Sequence, residues 1–338
     1  MSALLLAGAA LVALGGGACL VRGRLALGLG VQLAGVLLIA AGASVVLADG
    51  TAVGAGFHSA LTPALGLDRL SAFFVLVVAL AAVPALLCAR DALWEESRGG
   101  TLGALTAGFV MVLVAVPAAR DAVTFLAGWE LMTLLPAAAI LCARRDRPAR
   151  RAVFVYLAVT HLGGVGVWVA LLALAHAGAI GGSPPGGGLQ AFVAVAALIG
   201  FGTKAGLMPL HAWLPRAHPL APAHVSAVMS GVMVKVALYG LIRVLFAWDG
   251  PAPAWVGLVL LGVGLASAVG GALYALVQRE LKRLLAFSTI ENVGIVAMGL
   301  GASLVLAAAG AEEWSALAFA AALLHVAVHA AAKALLFL

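Results

Sequence analysis

About eleven stretches of this chain stay apolar for close to twenty residues each, and short polar breaks separate them. They run over 2–20, 25–48, 69–89, 102–119, 121–143, 152–178, 190–212, 222–247, 253–277, 284–308 and 314–338. A helix of about 20 apolar residues crosses a bilayer. Only helices and closed barrels satisfy every backbone polar group in lipid. Barrel strands would alternate polar and apolar residues over about ten positions, and these runs do not. Of 338 residues 64% are hydrophobic and only 9% charged, against roughly 25% charged in a soluble domain. The expected fold class is therefore all-α: a polytopic transmembrane helix bundle, lying in the lipid bilayer as a single domain over residues 1–338. Ser2–Leu20 lacks a basic leading segment and reads as a first span, not as a cleaved signal.

The basic residues test this count. Odd-numbered loops carry Arg22, Arg24, Arg90, Arg98, Arg144, Arg145, Arg147, Arg150, Arg151, Arg216, Arg279, Lys282 and Arg283. Even-numbered loops carry Arg69 and Arg120, with Arg243 near a helix end. The asymmetry follows the positive-inside rule, which puts the odd loops in the cytoplasm and the N-terminus outside. The net charge of +6 thus has a topological explanation, and nucleic acid is not an expected partner. Cys19, Cys88 and Cys142 form no CxxC pair, so neither a zinc site nor an iron–sulfur cluster is expected. No cofactor or metal is expected in this chain.

Three basic residues remain, and all are lysines inside apolar runs: Lys204, Lys235 and Lys333. Arginine cannot lose its proton in a protein, whereas a buried lysine can exchange one. Glu130, in GWELMTLLP, lies some nine residues into the fifth helix. A central charge there costs at least about 2.5 kcal/mol, so it must be neutral, paired or hydrated. It reads either as a structural carboxylate or as a proton-exchanging partner of a lysine. Lys204 and Lys235 fall at similar depths on antiparallel helices, which makes Glu–Lys–Lys a set of interacting titratable sites.

Pro209 and Pro215 are expected to break the seventh helix, and broken helices at membrane depth recur in ion-handling proteins. His224, beside this break, can relay protons; His211 and His218 are secondary candidates that also suit a loop. His325, His329 and Lys333 follow at i, i+4 and i+8 and so share one helix face. Glu291, beside Ser288 and Asn292, suits either a path or a helix-to-helix hydrogen bond. His161, among Gly163, Gly164 and Gly166, suits a close-packing contact or a relay.

Several segments carry a resemblance: GLDRLSAFF, GWELMTLLP, KAGLMPLHAWLPRAHPLAPAHVSAVMSGVMVKVALYG, ELKRLLAFSTIENVG and HAAAKALLFL. On them the chain resembles the antiporter-like, proton-conducting membrane subunits of respiratory complex I, Mrp-type cation/proton antiporters and membrane-bound hydrogenases. STIENVG and MSGVMVKVALYG make it most similar to the hydrogenase-4 and formate hydrogenlyase type. The resemblance implies that Glu130, Lys204 and Lys235 form a central relay. It also implies N-terminal helices over 1–119 and proton-channel helices over 120–338.

Members of that family have fourteen or so helices, so this chain is expected to be truncated, with its outlet half-channel beyond Leu338. The function implied is movement of protons, or Na⁺, along Glu130, Lys204, Lys235, His224 and the His325/His329/Lys333 stripe. Other membrane subunits and a peripheral redox arm carry the electrons, in a bacterial-type inner membrane. A complex I or Mrp-type subunit, a structural membrane anchor and a small-solute transporter are the alternatives.

Overall fold

Lipid and helix length together set the architecture. The computed structural model describes residues 2–54, 56–57, 62–94, 98–178, 186–246 and 252–338. Among them are eleven helices long and apolar enough to cross a membrane. The protein is an all-α, multi-pass integral membrane protein. Its first seven long helices are α1 (Ser2–Leu20), α2 (Leu25–Asp49), α3 (Arg69–Trp94), α4 (Gly99–Ala118), α5 (Ala122–Ala143), α6 (Arg147–His176) and α7 (Gly187–Ala205). The chain then turns through the short α8 (Leu214–Ala217) and a 3₁₀ turn at His218–Leu220. The eighth span consists of α9 (Ala223–Val228), a π-helical turn at Met229–Met233 and α10 (Val234–Leu245). The helices α11 (Ala254–Leu276), α12 (Leu281–Ala308) and α13 (Glu312–Phe337) complete the chain.

Neighbours in sequence are neighbours in space: α1 packs on α2, α6 on α7, α11 on α12, and α12 on α13. Glycines allow the closest crossings, since without a hydrophobic drive in lipid helices associate through backbone approach and packing. A Cβ on Gly294 of α12 would stand 2.6 Å from the Gly264 carbonyl of α11, and one on Gly35 of α2 would stand 2.6 Å from that of Gly8 in α1. The outer face keeps large apolar side chains, such as Leu162 (75% exposed) and Leu276 (81%), as lipid requires. The eighth span is the exception, being buried along nearly all of its length, with Ala223 and Arg243 near its ends half-buried. It is the axis around which the other helices stand.

The seventh span departs from expectation. Its helix was expected to continue to residue 212 and to break at Pro209 and Pro215, but α7 stops at Ala205, ahead of both prolines. Gly206 adopts a left-handed conformation (φ +84°), and the Gly206 and Leu207 N–H groups both donate to the Gly202 carbonyl, at 3.0 and 2.9 Å. Glycine enters that region without a Cβ penalty, and the residue before a proline already disfavours helix. Pro209 lies in the irregular stretch that follows, and Pro215 is in the first turn of α8, where its missing N–H costs nothing. The Trp213 indole N–H donates to the Thr203 carbonyl at 2.8 Å and so satisfies one of the acceptors left open at the end of α7.

α7 lies against α10 through a close contact. A Cβ on Gly240 would meet the Phe201 ring at 2.2 Å, and Phe201 stands edge-on to Trp129 at 5.2 Å. Gly240→Ala is therefore expected to cost about 1–3 kcal/mol by overpacking. Thermal unfolding in detergent checks it; an unchanged midpoint would show that the contact yields freely.

The odd-numbered loops gather at one end of the bundle. One cavity there is lined from loops five, seven and nine, by Arg147, Arg151, Arg216 and Arg283 among others. A second brings together Arg144, Pro222, His224 and Lys282. At the other end, a two-stranded antiparallel ribbon pairs Val53 with Leu67 and Gly54 with Gly66. The Asp121 carboxylate, which caps α5, also accepts the Ala64 N–H at 2.8 Å. That tie fixes the second loop against the fourth and positions Asp68 at the head of α3.

Candidate functional site

The titratable residues of the spans sort into two clusters and one ionic network at the even-loop end. The first cluster lies between α5, α6 and α7. Glu130 accepts a hydrogen bond from the Trp168 indole at 2.9 Å, and its other oxygen is 3.2 Å from His161 Nε2. His161 Nδ1 is 2.8 Å from the Leu157 carbonyl, which can only accept, so Nδ1 carries a proton. A hydrogen bond between Nε2 and Glu130 then requires one more proton, on the ring or on the carboxyl. His161, for which close packing and relay were both open, is thus the carboxylate's direct partner.

Lys204 lies in the last turn of α7 and is fully buried. A helix C-terminus favours a cation there. Its ammonium donates to Thr133 Oγ1 and stands over the Trp129 ring, 5.3 Å from the centroid. Glu130 is close enough to act on it electrostatically, but no ion pair within 4 Å joins the two among the described residues. Thr133, the hydrogen-bond acceptor for Lys204, lies about one turn along α5 from Glu130.

The second cluster forms around the π-helical turn. Lys235, also fully buried, donates to the Ser230 carbonyl at 2.5 Å. A π turn interrupts the regular i→i−4 ladder, and this carbonyl is the group Lys235 uses. Ser230 Oγ is itself 2.7 Å from Thr289 Oγ1 of α12. Lys333 of α13 donates to Ser288 Oγ and, at 3.1 Å, to the Leu285 carbonyl. His325 Nε2 is 3.0 Å from Asn292 Oδ1, and the His325 and His329 rings lie 6.2 Å apart. His329, His325 and Lys333 all interact electrostatically with Lys235, and Glu291 with Lys333. The stripe runs from mid-bundle toward the odd-loop end, because Leu285 lies one turn into α12.

His218 continues this line toward the odd loops. Its ring stacks on Phe337 at 5.0 Å and feels both Lys333 and Lys282. His224 lines the 300 Å³ cavity beside Lys282, whose ammonium donates to the Ala221 carbonyl at 2.8 Å. Both nitrogens of His218 and His329, Nδ1 of His211 and Nε2 of His224 are buried without a hydrogen-bond partner among the described residues. Lys204 and Lys235, expected to face one another, are instead held separately: one by α5, the other by its own helix.

The ionic network closes the opposite end of the eighth span. Arg243 donates to Asp68 Oδ1 and, at 2.9 Å, to Ser71 Oγ. Arg120, only 3% exposed, lies 3.8 Å from Asp68 and donates to Ser71 Oγ at 2.9 Å. Tyr239 donates to the Pro117 carbonyl at 2.8 Å and accepts from Arg243 Nε at 2.9 Å. Burial alone would raise the Asp68 carboxyl. The hydrogen bond and charge of Arg243, the Ser71 N–H and the Arg120 charge outweigh burial and hold it below the usual carboxylate range.

Sequence reasoning missed Thr133, Trp129, Trp168, Ser230 and Thr289 as partners. Thr133 had a signal, its i+3 spacing from Glu130 on one helix face. Trp168 and Ser230 had none, since helix rotation and a π turn decide them.

Comparison with known proteins gives the family and the fold of this chain. Residues 119–338 match a family model described as NADH:quinone oxidoreductase/Mrp antiporter, transmembrane. An uncharacterized protein of Mycobacterium tuberculosis (strain ATCC 25618 / H37Rv) is 42% identical over 276 residues, covering 80% of this chain and 43% of that protein. Hydrogenase-4 component B of Escherichia coli (strain K12) is 38% identical over 288 residues, covering 81% of this chain and 42% of its own length. The chain thus spans less than half the length of these relatives. In fold it is similar to a chain of the Mrp complex from Dietzia sp. DQ12-45-1b, with a TM-score of 0.76 at 22% identity, covering 99% of this chain and 62% of that one.

Proposed function

This chain belongs to the NADH:quinone oxidoreductase/Mrp antiporter transmembrane family, and on that premise we propose that it moves protons as a subunit of a redox-driven membrane complex of the hydrogenase-4 or formate hydrogenlyase type. The observation that carries the reading is the setting of its three interior lysines. Lys204, Lys235 and Lys333 are each at most 2% exposed, and the groups they donate to are Thr133, the Ser230 carbonyl, Ser288 and the Leu285 carbonyl. All of these are neutral, so each lysine keeps a partner whether or not it carries its extra proton. A carboxylate acts electrostatically on two of them, Glu130 on Lys204 and Glu291 on Lys333, without an ion pair among the described residues.

The route begins at the odd-loop end, taken as cytoplasmic from its arginines, with the N-terminus outside a bacterial-type inner membrane. It passes His224 and Lys282, then His218, Lys333, His329 and His325, and reaches Lys235. Buried ring nitrogens without protein partners are what ordered water completes, and such water would link the steps. Glu130, Lys204 and His161 form the second station. Glu130 and His161 are 26% and 43% exposed on the flank of this chain, open to a neighbouring membrane subunit. A peripheral redox arm carries the electrons, and the 38% identity to hydrogenase-4 component B favours a hydrogenase of that kind.

Lys204→Ala in the full-length protein, assembled and reconstituted in liposomes, tests the reading. Proton uptake per electron transferred is expected to fall while electron transfer continues. An unchanged ratio would leave the chain a membrane anchor.

A further inference from the structure

We propose that the cavity between loops five, seven and nine is a binding site for the phosphate headgroup of an anionic phospholipid. Four arginines face it: Arg147 and Arg151 at the start of α6, Arg216 of α8 and Arg283 near the start of α12. Among the described residues the only acidic one lining it is Glu280. None of these four guanidinium groups makes a hydrogen bond or an ion pair among the described residues, although Arg144, Arg98, Arg120 and Arg243 all do. Positive-inside placement explains arginines in these loops. It does not explain why four of them, from three separate loops, line one cavity of about 950 Å³ that holds a single acid, Glu280, and pair with none among the described residues.

The rest of the lining suits a lipid better than an acidic peptide. Ala152, Val155 and Leu220 give the cavity apolar walls, and Ala152 and Val155 lie on α6 one to two turns into its span. A phosphate at the arginine rim would leave an acyl chain running along this apolar surface. Arginine forks match phosphate oxygens in pairs, and basic pockets between transmembrane helices hold anionic headgroups. The cavity is remote from the proposed relay in composition, since it contains none of Glu130, Lys204, Lys235 or Lys333.

The test is retention of phosphatidylglycerol by the purified full-length protein, read by native mass spectrometry against phosphatidylcholine. R151Q/R216Q is compared with R22Q/R24Q, which removes two arginines from loop one at the same end of the bundle. Wild type and R22Q/R24Q are expected to retain phosphatidylglycerol preferentially, and R151Q/R216Q to bind it about tenfold or more weakly. Equal retention by both variants, or equal retention of the two lipids by wild type, would overturn the proposal. So would displacement by an equimolar amount of inorganic phosphate, which would make this a small-anion site. A photo-crosslinker on Arg216→Cys that captures another subunit of the assembled complex in place of lipid would also overturn it.

Discussion

Lys235→Met is expected to stop proton movement through this subunit while leaving the bundle at least as stable as before. Lys235 is wholly buried at the π turn, and among the described residues its one hydrogen bond goes to the Ser230 carbonyl of its own span. Burying an ammonium inside the helix bundle costs several kcal/mol, so an apolar side chain of similar length removes that cost and leaves only one acceptor unpaired. Selection for stability alone would not keep a lysine here. A positioned proton-transferring side chain commonly contributes about a hundredfold or more, and methionine can carry no proton. Proteoliposome uptake should therefore fall by about that factor, with the thermal midpoint unchanged or raised. Retained transport would remove Lys235 from the route. A large fall in midpoint would recast it as a structural residue.

Asp68→Asn carries the largest expected effect on stability. It leaves Arg120 and Arg243 converging on Ser71 without their carboxylate, at the end of the most deeply buried span among the described residues. Breaking a fully buried pair costs about 3–5 kcal/mol; with the Asp68 side chain 37% exposed, about 2–3 kcal/mol is the fitting range. The pH dependence has a fixed sign. Asp68 titrates below the ordinary carboxylate value of 3.8 in the folded protein, so its contribution is complete above that value and is lost as pH falls through the lower folded value. The midpoints of wild type and Asp68→Asn should lie furthest apart near neutrality and converge below about pH 4. A gap that persists in acid would mean that asparagine fails for steric reasons and not for want of charge.

The spans were legible in the sequence because lipid enforces a length and a composition, and loop arginines then fixed their alternation. The interior lysines stood out for the same reason, being the only basic residues no loop could use. What the sequence hid was pairing. Prolines were the visible breakers of the seventh helix, yet Gly206 ends it, because a left-handed closure onto the Gly202 carbonyl comes first along the chain. The reading of Lys204 and Lys235 as facing neighbours assumed two straight helices. The early stop of α7 and the π turn of the eighth span instead assign each lysine to its own partners. Glu130 was expected to seek a lysine and is held first by His161 and Trp168, a choice set by the rotation of α6 against α5. The ionic network was legible only as single residues at helix ends, since 175 positions separate Asp68 from Arg243.

The central claim is that Lys204 and Lys235 belong to one serial route. Proton uptake by liposomes containing the assembled complex, compared across Lys204→Met, Lys235→Met and the double variant at matched electron-transfer rates, tests it most directly. Residues in series act as a unit, so effects on them do not add. Each single variant should abolish the uptake due to this subunit, and the double variant should lose no more. Partial single losses that combine additively in the double variant, or uptake equal to wild type in all three, would contradict the account.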